Sequence, residues 1–472
     1  MTLFAPLDET ELSRIHEESV KLLSSQGVDV ADETARDRYS AGGCEVSGTT
    51  VRIPEPVLEQ SIDRAPESFT LHTRNGDAVV VGKGEPVFAP AFGPTDVYTG
   101  GDGFREATLA DVETFARLAH EEDVVDCAGY NVCEPVDVPE PQRARESMKR
   151  TLLTTDLPVV GSAYGRRRSR ECLELAGIAA DDTDLTRPRV LGQVSPVSPR
   201  RWPEAMAAGL LTYAARGQPV IVMSQPLAGA SGPATLAGAV TLANAEILSG
   251  IVLAQLERPG TPVVYGSGLT ALDMETTSIA AAAPEAALGA AATAQLAASY
   301  DLPSRSGGGV TDARRLDDQA GSESMLGLLA AVDAGIDFAL HAAGILDSYR
   351  AVSPEKFLLD CERIRTIQRI QTGIDVTEET LATDLLAETP PGGDFLGSRH
   401  TVTHARESLF RPDLAIRGSG DSPSVDDQSV VDDRSVVDRA QAHVETVLDR
   451  YEPPGIDPNV RERIESYEGL DS

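Results

Sequence analysis

The segment 302–321 holds the residues of this chain best placed to do chemistry. A strand-like start containing Arg305 runs into Gly307, Gly308 and Gly309, and glycine lets a backbone turn tightly or approach a ligand closely. Val310 follows, then Thr311, Asp312, Asp317, Asp318 and Gln319, and a helix-like run carrying Glu323 begins. One apolar side chain at the tip of a Gly loop, ringed by polar groups, describes a pocket floor. The plain alternative is a strand-to-helix connection with an acidic cap, and the pattern alone does not separate the two.

These residues need a scaffold, and the chain supplies a repeated alternation. Apolar strand-like runs fall at 87–92, 127–132, 157–163, 190–195, 219–223, 262–265, 302–307 and 336–341. Helical stretches rich in Ala and Leu lie between and after them, near 108–121, 142–153, 168–180, 203–216, 234–257, 284–300, 319–334 and 353–371. Strand then helix, about eight times over, predicts an α/β chain of (β/α)8 TIM-barrel type over residues 86–415. A doubly wound open sheet is the runner-up. Residues 1–85 read as a mixed accessory domain. They hold an amphipathic helix over 8–26 ended by Gly27, a helix near 55–64 and a strand pair around Asn75 and Gly76. Residues 416–436 are an acidic low-complexity insert that repeats Ser-Val-Val-Asp, and 437–472 are a closing helix and tail.

Barrel chemistry sits at the C-terminal strand ends. Those ends gather Phe92, Tyr130, Tyr164, Tyr265, Val310 with Asp312, and His341, and Tyr98 follows shortly after Phe92 as a further candidate ring. Aromatic faces attract a quaternary ammonium through the ring quadrupole, although each ring has core packing as its ordinary use. His341 alone reads as a core histidine as readily as a ligand. The set has no metal triad and no nucleophile elbow, and its glycines match neither the dinucleotide nor the P-loop pattern. His400 and His404 are the one close histidine pair, without the HExxH pattern, so no metal site is expected.

Composition narrows the partners. The chain has 472 residues, 74 Asp and Glu against 41 Lys and Arg, a net charge of -33 and a pI near 4.5. Lys occurs only at Lys21, Lys83, Lys149 and Lys356. Spread acidity with Lys suppressed predicts a salt-rich cytoplasm, where salt screens carboxylate repulsion. It argues against nucleic-acid binding, which needs a basic surface. Cys44, Cys127, Cys133, Cys172 and Cys361 form no framework and read as reduced thiols. The N-terminus has no signal-like core, and no apolar run approaches the roughly 20 residues of a membrane helix, so a soluble cytoplasmic protein that forms a homo-oligomer is expected.

Several motifs carry a resemblance. They are Phe92–Tyr98, Ser195-Pro-Val-Ser-Pro199, Ser231–Gly238, Asn244–Gln255 with Glu246, Pro259–Gly266, Asp312–Gly321 and Phe395–Thr401. In this order they resemble the trimethylamine methyltransferase family from about residue 8 to 415, and the match resumes in the last helix. The resemblance implies a (β/α)8 barrel that moves a methyl group from a methylated amine to the cobalt of a separate corrinoid protein, with no tightly bound cofactor of its own. It also places a pyrrolysine of the archaeal trimethylamine enzymes at Val310. The segment after Gly418 departs from the family, which usually has a Trp and a Gly-Ser-x-Asp pattern there.

Without that electrophilic imine a neutral tertiary amine is a poor leaving group, whereas a quaternary ammonium leaves as a neutral amine and needs positioning in a weakly solvating pocket. A betaine-like quaternary amine is therefore the expected substrate. His341 or Arg305 would take its carboxylate, Asp312 and Glu246 would hold loops or face the cation, and Gln319 and Glu323 would line the site or merely cap a helix. A tetrahydropterin acceptor, a non-catalytic betaine-binding protein and, third, a metal-dependent hydrolase are the alternatives.

Overall fold

The computed structural model describes residues 4–405, 408–417 and 434–470, so most of the insert expected at 416–436 lies outside the described residues. Eight parallel strands form one sheet: β1 (Val87–Phe88), β2 (Ala128–Gly129), β3 (Val159–Gly161), β4 (Val190–Val194), β5 (Val220–Ser224), β6 (Val263–Ser267), β7 (Ser304–Gly307) and β8 (Phe338–Leu340). Each is followed by a helix: α1 (Leu109–Glu121), α2 (Arg143–Thr154), α3 (Gly165–Ala179), α4 (Glu204–Ala215), α5 (Leu236–Glu257), α6 (Pro284–Ser299), α7 (Asp318–Asp333) and α8 (Pro354–Gln371).

The sheet closes on itself. β8 pairs in parallel with β1, Phe338 opposite Val87. The seam between β1 and β2 is made by the Asp126 and Cys127 N–H groups, which donate to the Phe88 carbonyl at 3.0 and 3.3 Å. The Asp126 carboxylate accepts the Phe88 N–H at 2.8 Å, and burial pushes its pKa up to about 6. The (β/α)8 barrel is thus present, with every expected strand and helix at its place in the order. β-branched runs such as Val220-Ile221-Val222 and Val263-Val264 suit the strands, while Ala and Leu fill the helices.

Alternate strand residues fill the interior: Val87, Val160, Leu191, Ile221, Val264, Phe338 and Leu340 belong to one apolar cluster. Phe69, Leu71 and Val81, from the hairpin Phe69–His72 and Ala78–Val81, join that cluster and plug the N-terminal end of the barrel. Only the C-terminal end is left open to a ligand. There, short strands that strand-helix periodicity does not reveal build a rim: Asp96–Thr99 with Gly103–Glu106, Ile345–Leu346 with Ala351–Val352, and Thr270–Asp273 with Ser278–Ala280.

One expectation needs correction. Helix α5 is long and apolar enough, by length and composition, to cross a membrane. The polar residues Asn244, Glu246 and Gln255 interrupt its apolar run in sequence, yet all three are buried. The helix is apolar all round because it is covered all round. Strands β5 and β6 lie on one side, and the helix Glu9–Ser25, capped by Asp8 and Glu11, lies with Glu55–Arg64 on the other.

The barrel wall leaves no room at Gly209 of α4, where an added Cβ would lie 1.7 Å from the Ala163 carbonyl oxygen. Gly209→Ala should cost ~1–3 kcal/mol of overpacking, read as a lowered midpoint of thermal unfolding. An unchanged midpoint would mean that the helix does not sit this close to β3.

Candidate active site

The glycine loop at the end of β7 is gripped from behind by a buried ion pair. Lys356 and Asp360, one turn apart on α8, are fully buried, with Nζ 2.6 Å from the Asp360 carboxylate. Lys356 Nζ also donates to the Gly309 carbonyl at 2.7 Å and to Ser324 Oγ of α7 at 2.8 Å. The same Asp360 carboxylate accepts the Gly344 N–H at 2.9 Å and the Arg363 guanidinium at 2.7 Å. Burial pulls the Lys356 pKa down to about 8, with the Asp360 charge opposing that shift. The fit is tight: a Cβ on Gly309 would lie 2.4 Å from the Ala342 carbonyl oxygen, and one on Gly327 would lie 2.3 Å from that of Gly308. Glycine is needed here for close approach, at φ values any residue adopts.

Beyond the loop, Glu323 at the start of α7 folds back. Its carboxylate accepts Thr311 Oγ1 at 2.6 Å, the Asp312 N–H at 2.8 Å and Gln319 Nε2 at 2.9 Å. Asp312 turns away from the loop tip. Its carboxylate takes the Ala281 and Ala282 N–H groups, each at 3.0 Å, and Ser348 Oγ at 2.6 Å. It thereby ties together the glycine loop, the segment after β6 and the turn after β8.

That turn is strained. Asp347, Ser348 and Tyr349 have φ of 52°, 50° and 73°, a left-handed run without glycine that costs ~1–3 kcal/mol at each residue. Backbone bonds from Asp347 N–H to Ala313 and from Ser348 N–H to Thr311 hold it. Its product is the position of Tyr349, whose hydroxyl, like Val310, borders the space beside Gly307.

Val310, Glu323 and Tyr349 line one pocket at the barrel mouth, with Ser267, Thr270 and a wall of Ala281, Ala282, Ala283 and Ala286. Arg305 points into the barrel beneath it, in register with Phe338. Its guanidinium is buried and donates to the Ser267 carbonyl at 3.2 Å, while Nε has no partner and no carboxylate among the described residues pairs with it. Burial lowers its pKa to about 10, which leaves it charged at neutral pH. His341, also at positive φ (62°), stacks edge-on against Tyr349 with centroids 5.1 Å apart. Burial, reinforced by Arg305, holds its pKa well below the usual histidine range. The Phe92 N–H meets Nδ1 at 3.2 Å, so the neutral ring carries its proton on Nε2. Two donors, one cationic, thus contact residues of the alanine-walled pocket: Arg305 reaches the Ser267 carbonyl and His341 packs on the Tyr349 ring.

The structure brings Arg305, Val310, Glu323 and His341 together, with Phe92, Asp312 and Gln319 as their supports. It places the other expected residues elsewhere, for definite reasons. Strand parity turns Tyr265 outward, where its hydroxyl donates to Asn244 at 2.8 Å. Tyr130 likewise lies in the outer layer, edge-on to Phe92 at 5.8 Å. Tyr164 is exposed beneath Arg168, and Tyr98 pairs with Phe104 in the rim. Glu246, buried on α5, accepts Ser198, Ser224 and the Arg200 N–H, and burial raises its pKa. His404 lies 3.3 Å from Glu379, away from the barrel mouth. Tyr349 and the Lys356–Asp360 pair were missed. The available signals were the scarcity of aromatic residues and a Lys four residues before an Asp on one helix, among only four Lys in the chain.

Comparison with known proteins gives a consistent result. The family profile described as trimethylamine methyltransferase (MTTB) matches residues 1–468. The chain is 36% identical over 464 residues to a glycine betaine methyltransferase of Desulfitobacterium hafniense (strain Y51), covering 98% of this chain and 96% of that one. It is 30% identical to a proline betaine:corrinoid methyltransferase of Eubacterium limosum, over 97% and 96% of the two chains. The solved monomethylamine methyltransferase of Methanosarcina barkeri aligns with a TM-score of 0.48 at 14% identity, over 82% of this chain and 83% of that one.

Two measurements check the geometry. Lys356→Met removes the fully buried cation of Asp360, leaving it only the partly exposed Arg363, and should cost ~3–5 kcal/mol of stability in denaturant unfolding. A loss under about 0.5 kcal/mol, as at an ordinary surface site, would contradict the buried pair. His341 has a depressed folded pKa, so below pH 6.5 the unfolded chain binds a proton that the native chain refuses, and stability falls on acidification. His341→Asn should remove up to ~1.4 kcal/mol per pH unit of that slope between about pH 6 and 5. Equal slopes in the two proteins would mean that His341 is not held neutral.

Proposed function

The chain belongs to the trimethylamine methyltransferase family, and on that premise we propose that it takes a methyl group from a betaine and passes it to the cobalt of a separate corrinoid protein. The observation that carries this reading is the buried Arg305, which pairs with no carboxylate among the described residues and whose guanidinium donates to the carbonyl of Ser267, a residue that lines the alanine-walled pocket with Val310 and Tyr349. Relatives named for glycine betaine and for proline betaine with a corrinoid support it.

In the proposed pose the substrate carboxylate lies on Arg305 and the Nε2–H of His341, through charge-assisted hydrogen bonds. The ammonium rests against the Tyr349 ring and Glu323, and one N-methyl group faces the open mouth. The electron pair of cobalt(I) attacks that methyl carbon, the C–N bond breaks, and its electrons return to nitrogen. A neutral tertiary amine leaves, so no proton has to move. Positive charge on nitrogen fades in the transition state, which an apolar wall of Val310 and alanines favours over water. The Glu323 charge would oppose this by holding the cation, but three donors already temper it. At Val310 no electrophile is available for an amine that arrives uncharged. We assign the acidic surface to a salt-rich cytoplasm on the same reading.

Purified protein, a cobalt(I) corrinoid and candidate amines test the reaction through methylcobalt absorbance. Betaines should react and trimethylamine should not; the reverse would overturn the proposal. Methyl transfer only to a tetrahydropterin would replace the acceptor. Thermal stabilisation by betaine without transfer to either acceptor would leave a binding protein. Arg305→Met should raise KM for a betaine about a hundredfold, from ~2–3 kcal/mol of lost charge-assisted hydrogen bonding, with little effect on binding of choline, which has no carboxylate. Equal losses for both would detach Arg305 from carboxylate recognition.

A further inference from the structure

The plug at the floor of the barrel carries cations that the proposed reaction does not use. Arg74 sits at the turn of the hairpin, and one of its nitrogens, Nη1, donates to the Leu152 carbonyl in the last turn of α2 at 2.5 Å. The other two, Nε and Nη2, are buried and have no hydrogen-bond partner among the described residues. Arg189, just before β4, donates through Nη1 to the Thr73 carbonyl at 3.1 Å, and its Nε is likewise buried without a hydrogen bond. Both side chains line one cavity, whose apolar walls include Leu152, Val159, Ala176 and Val190. Val159 and Val190 face outward from the starts of β3 and β4, so the cavity lies beside the plug, between the barrel wall and the helices.

Arginine keeps its proton inside proteins, so the orphaned donors are charged. A buried donor without a partner is costly, and more so on an ion. The nearby carboxylates do not close the gap. Asp156 also lines the cavity but makes no ion pair with Arg74, and its carboxylate stands 3.4 Å from His120. Asp182 stops 3.8 Å from Arg189 Nε, beyond hydrogen-bond reach. Arg461 adds a further positive charge to the field at Arg74, and Arg187 joins Arg189 beside His72. Four arginines thus face two carboxylates, in a chain where acids outnumber Lys and Arg by 74 to 41. Water can accept these N–H groups but leaves their charge, whereas an anion meets both needs at once. The cavity encloses about 30 Å³, against the roughly 10–15 Å³ that one water-sized occupant requires. That admits a monatomic ion and excludes an organic phosphate.

We propose that this cavity is a halide site, filled by chloride, that locks the hairpin plug to the barrel wall. The ion accepts from Arg74 on the plug and from Arg189 at the start of β4, and so joins two elements that otherwise meet through a few backbone bonds, such as His72 N–H to Pro188 and Arg74 N–H to Asp156. The site lies at the opposite end of the barrel from the mouth, so the inference does not rest on the proposed reaction.

The test is thermal unfolding of the full chain at fixed ionic strength, with chloride replacing isethionate, an anion too large for the cavity. Ionic strength is fixed because a net charge of -33 makes stability salt-dependent by itself. The wild-type midpoint should rise along a saturating curve by roughly 2–4 °C. Hydrogen exchange of residues 69–81 should slow over the same chloride range, while that of the rim at 270–280 should not change. Arg74→Gln should abolish the rise, and Arg187→Gln, at an exposed residue that does not line the cavity, should retain most of it. Crystals of the wild-type chain grown in bromide should show an anomalous peak within ~3.5 Å of Arg74 Nη2 and Arg189 Nε, a readout that survives a variant's failure to fold. A rise that is linear in chloride and equal in Arg74→Gln is a general salt effect and would overturn the proposal. So would water in the cavity at saturating bromide, or a bromide peak with neither the saturating rise nor the slowed exchange, which would be an adventitious ion only.

Discussion

The ion pair of Lys356 and Asp360 sets the position of everything at the mouth. It is buried, so it holds only because each member has further partners: the Gly309 carbonyl and Ser324 for the lysine, the Gly344 N–H and Arg363 for the aspartate. Those partners belong to the loop after β7, to α7, to the segment after β8 and to α8 itself. One pair therefore clamps four elements. Glycines at positions 308, 309 and 327 let the loop sink against Ala342 and α7, and Val310 is left at the surface of the pocket.

A second layer of polar contacts transmits that position outward. Glu323 and Asp312 accept backbone and side-chain donors on either side of Thr311, and Asp312 reaches both the alanine segment and the left-handed turn of Tyr349. The carboxylates that looked like candidate ligands are largely occupied in holding the walls. At the mouth, Arg305 is a buried cation that pairs with no carboxylate among the described residues, in a chain of net charge -33. On the proposed reading, that guanidinium is where the anionic group of the substrate enters.

The barrel itself was readable in sequence, because each strand is a short β-branched or apolar run and each helix an Ala- and Leu-rich one, with periods that differ. The glycine loop and Arg305 could be read for the same reason: they end a recognisable strand. Tyr265 and Tyr130 could not be placed, because a two-residue period decides inside from outside and the exact strand ends were unknown. Tyr349 was invisible because three consecutive residues adopt a left-handed backbone that no local sequence rule anticipates. Helix α5 escaped notice as a long apolar element because its buried polar residues find partners only in the fold: Asn244 with Tyr265, Glu246 with Ser198 and Ser224, and Gln255 with Thr261.

On the proposed reading, one pocket holds a betaine with its carboxylate inward and a methyl group outward. A crystal structure of the chain with glycine betaine tests it most directly. The carboxylate should lie on Arg305 and His341, the trimethylammonium between Val310, Tyr349 and the alanine wall, and one methyl group should face the open barrel end. A betaine bound with its carboxylate toward the mouth, or bound away from Val310, would contradict it.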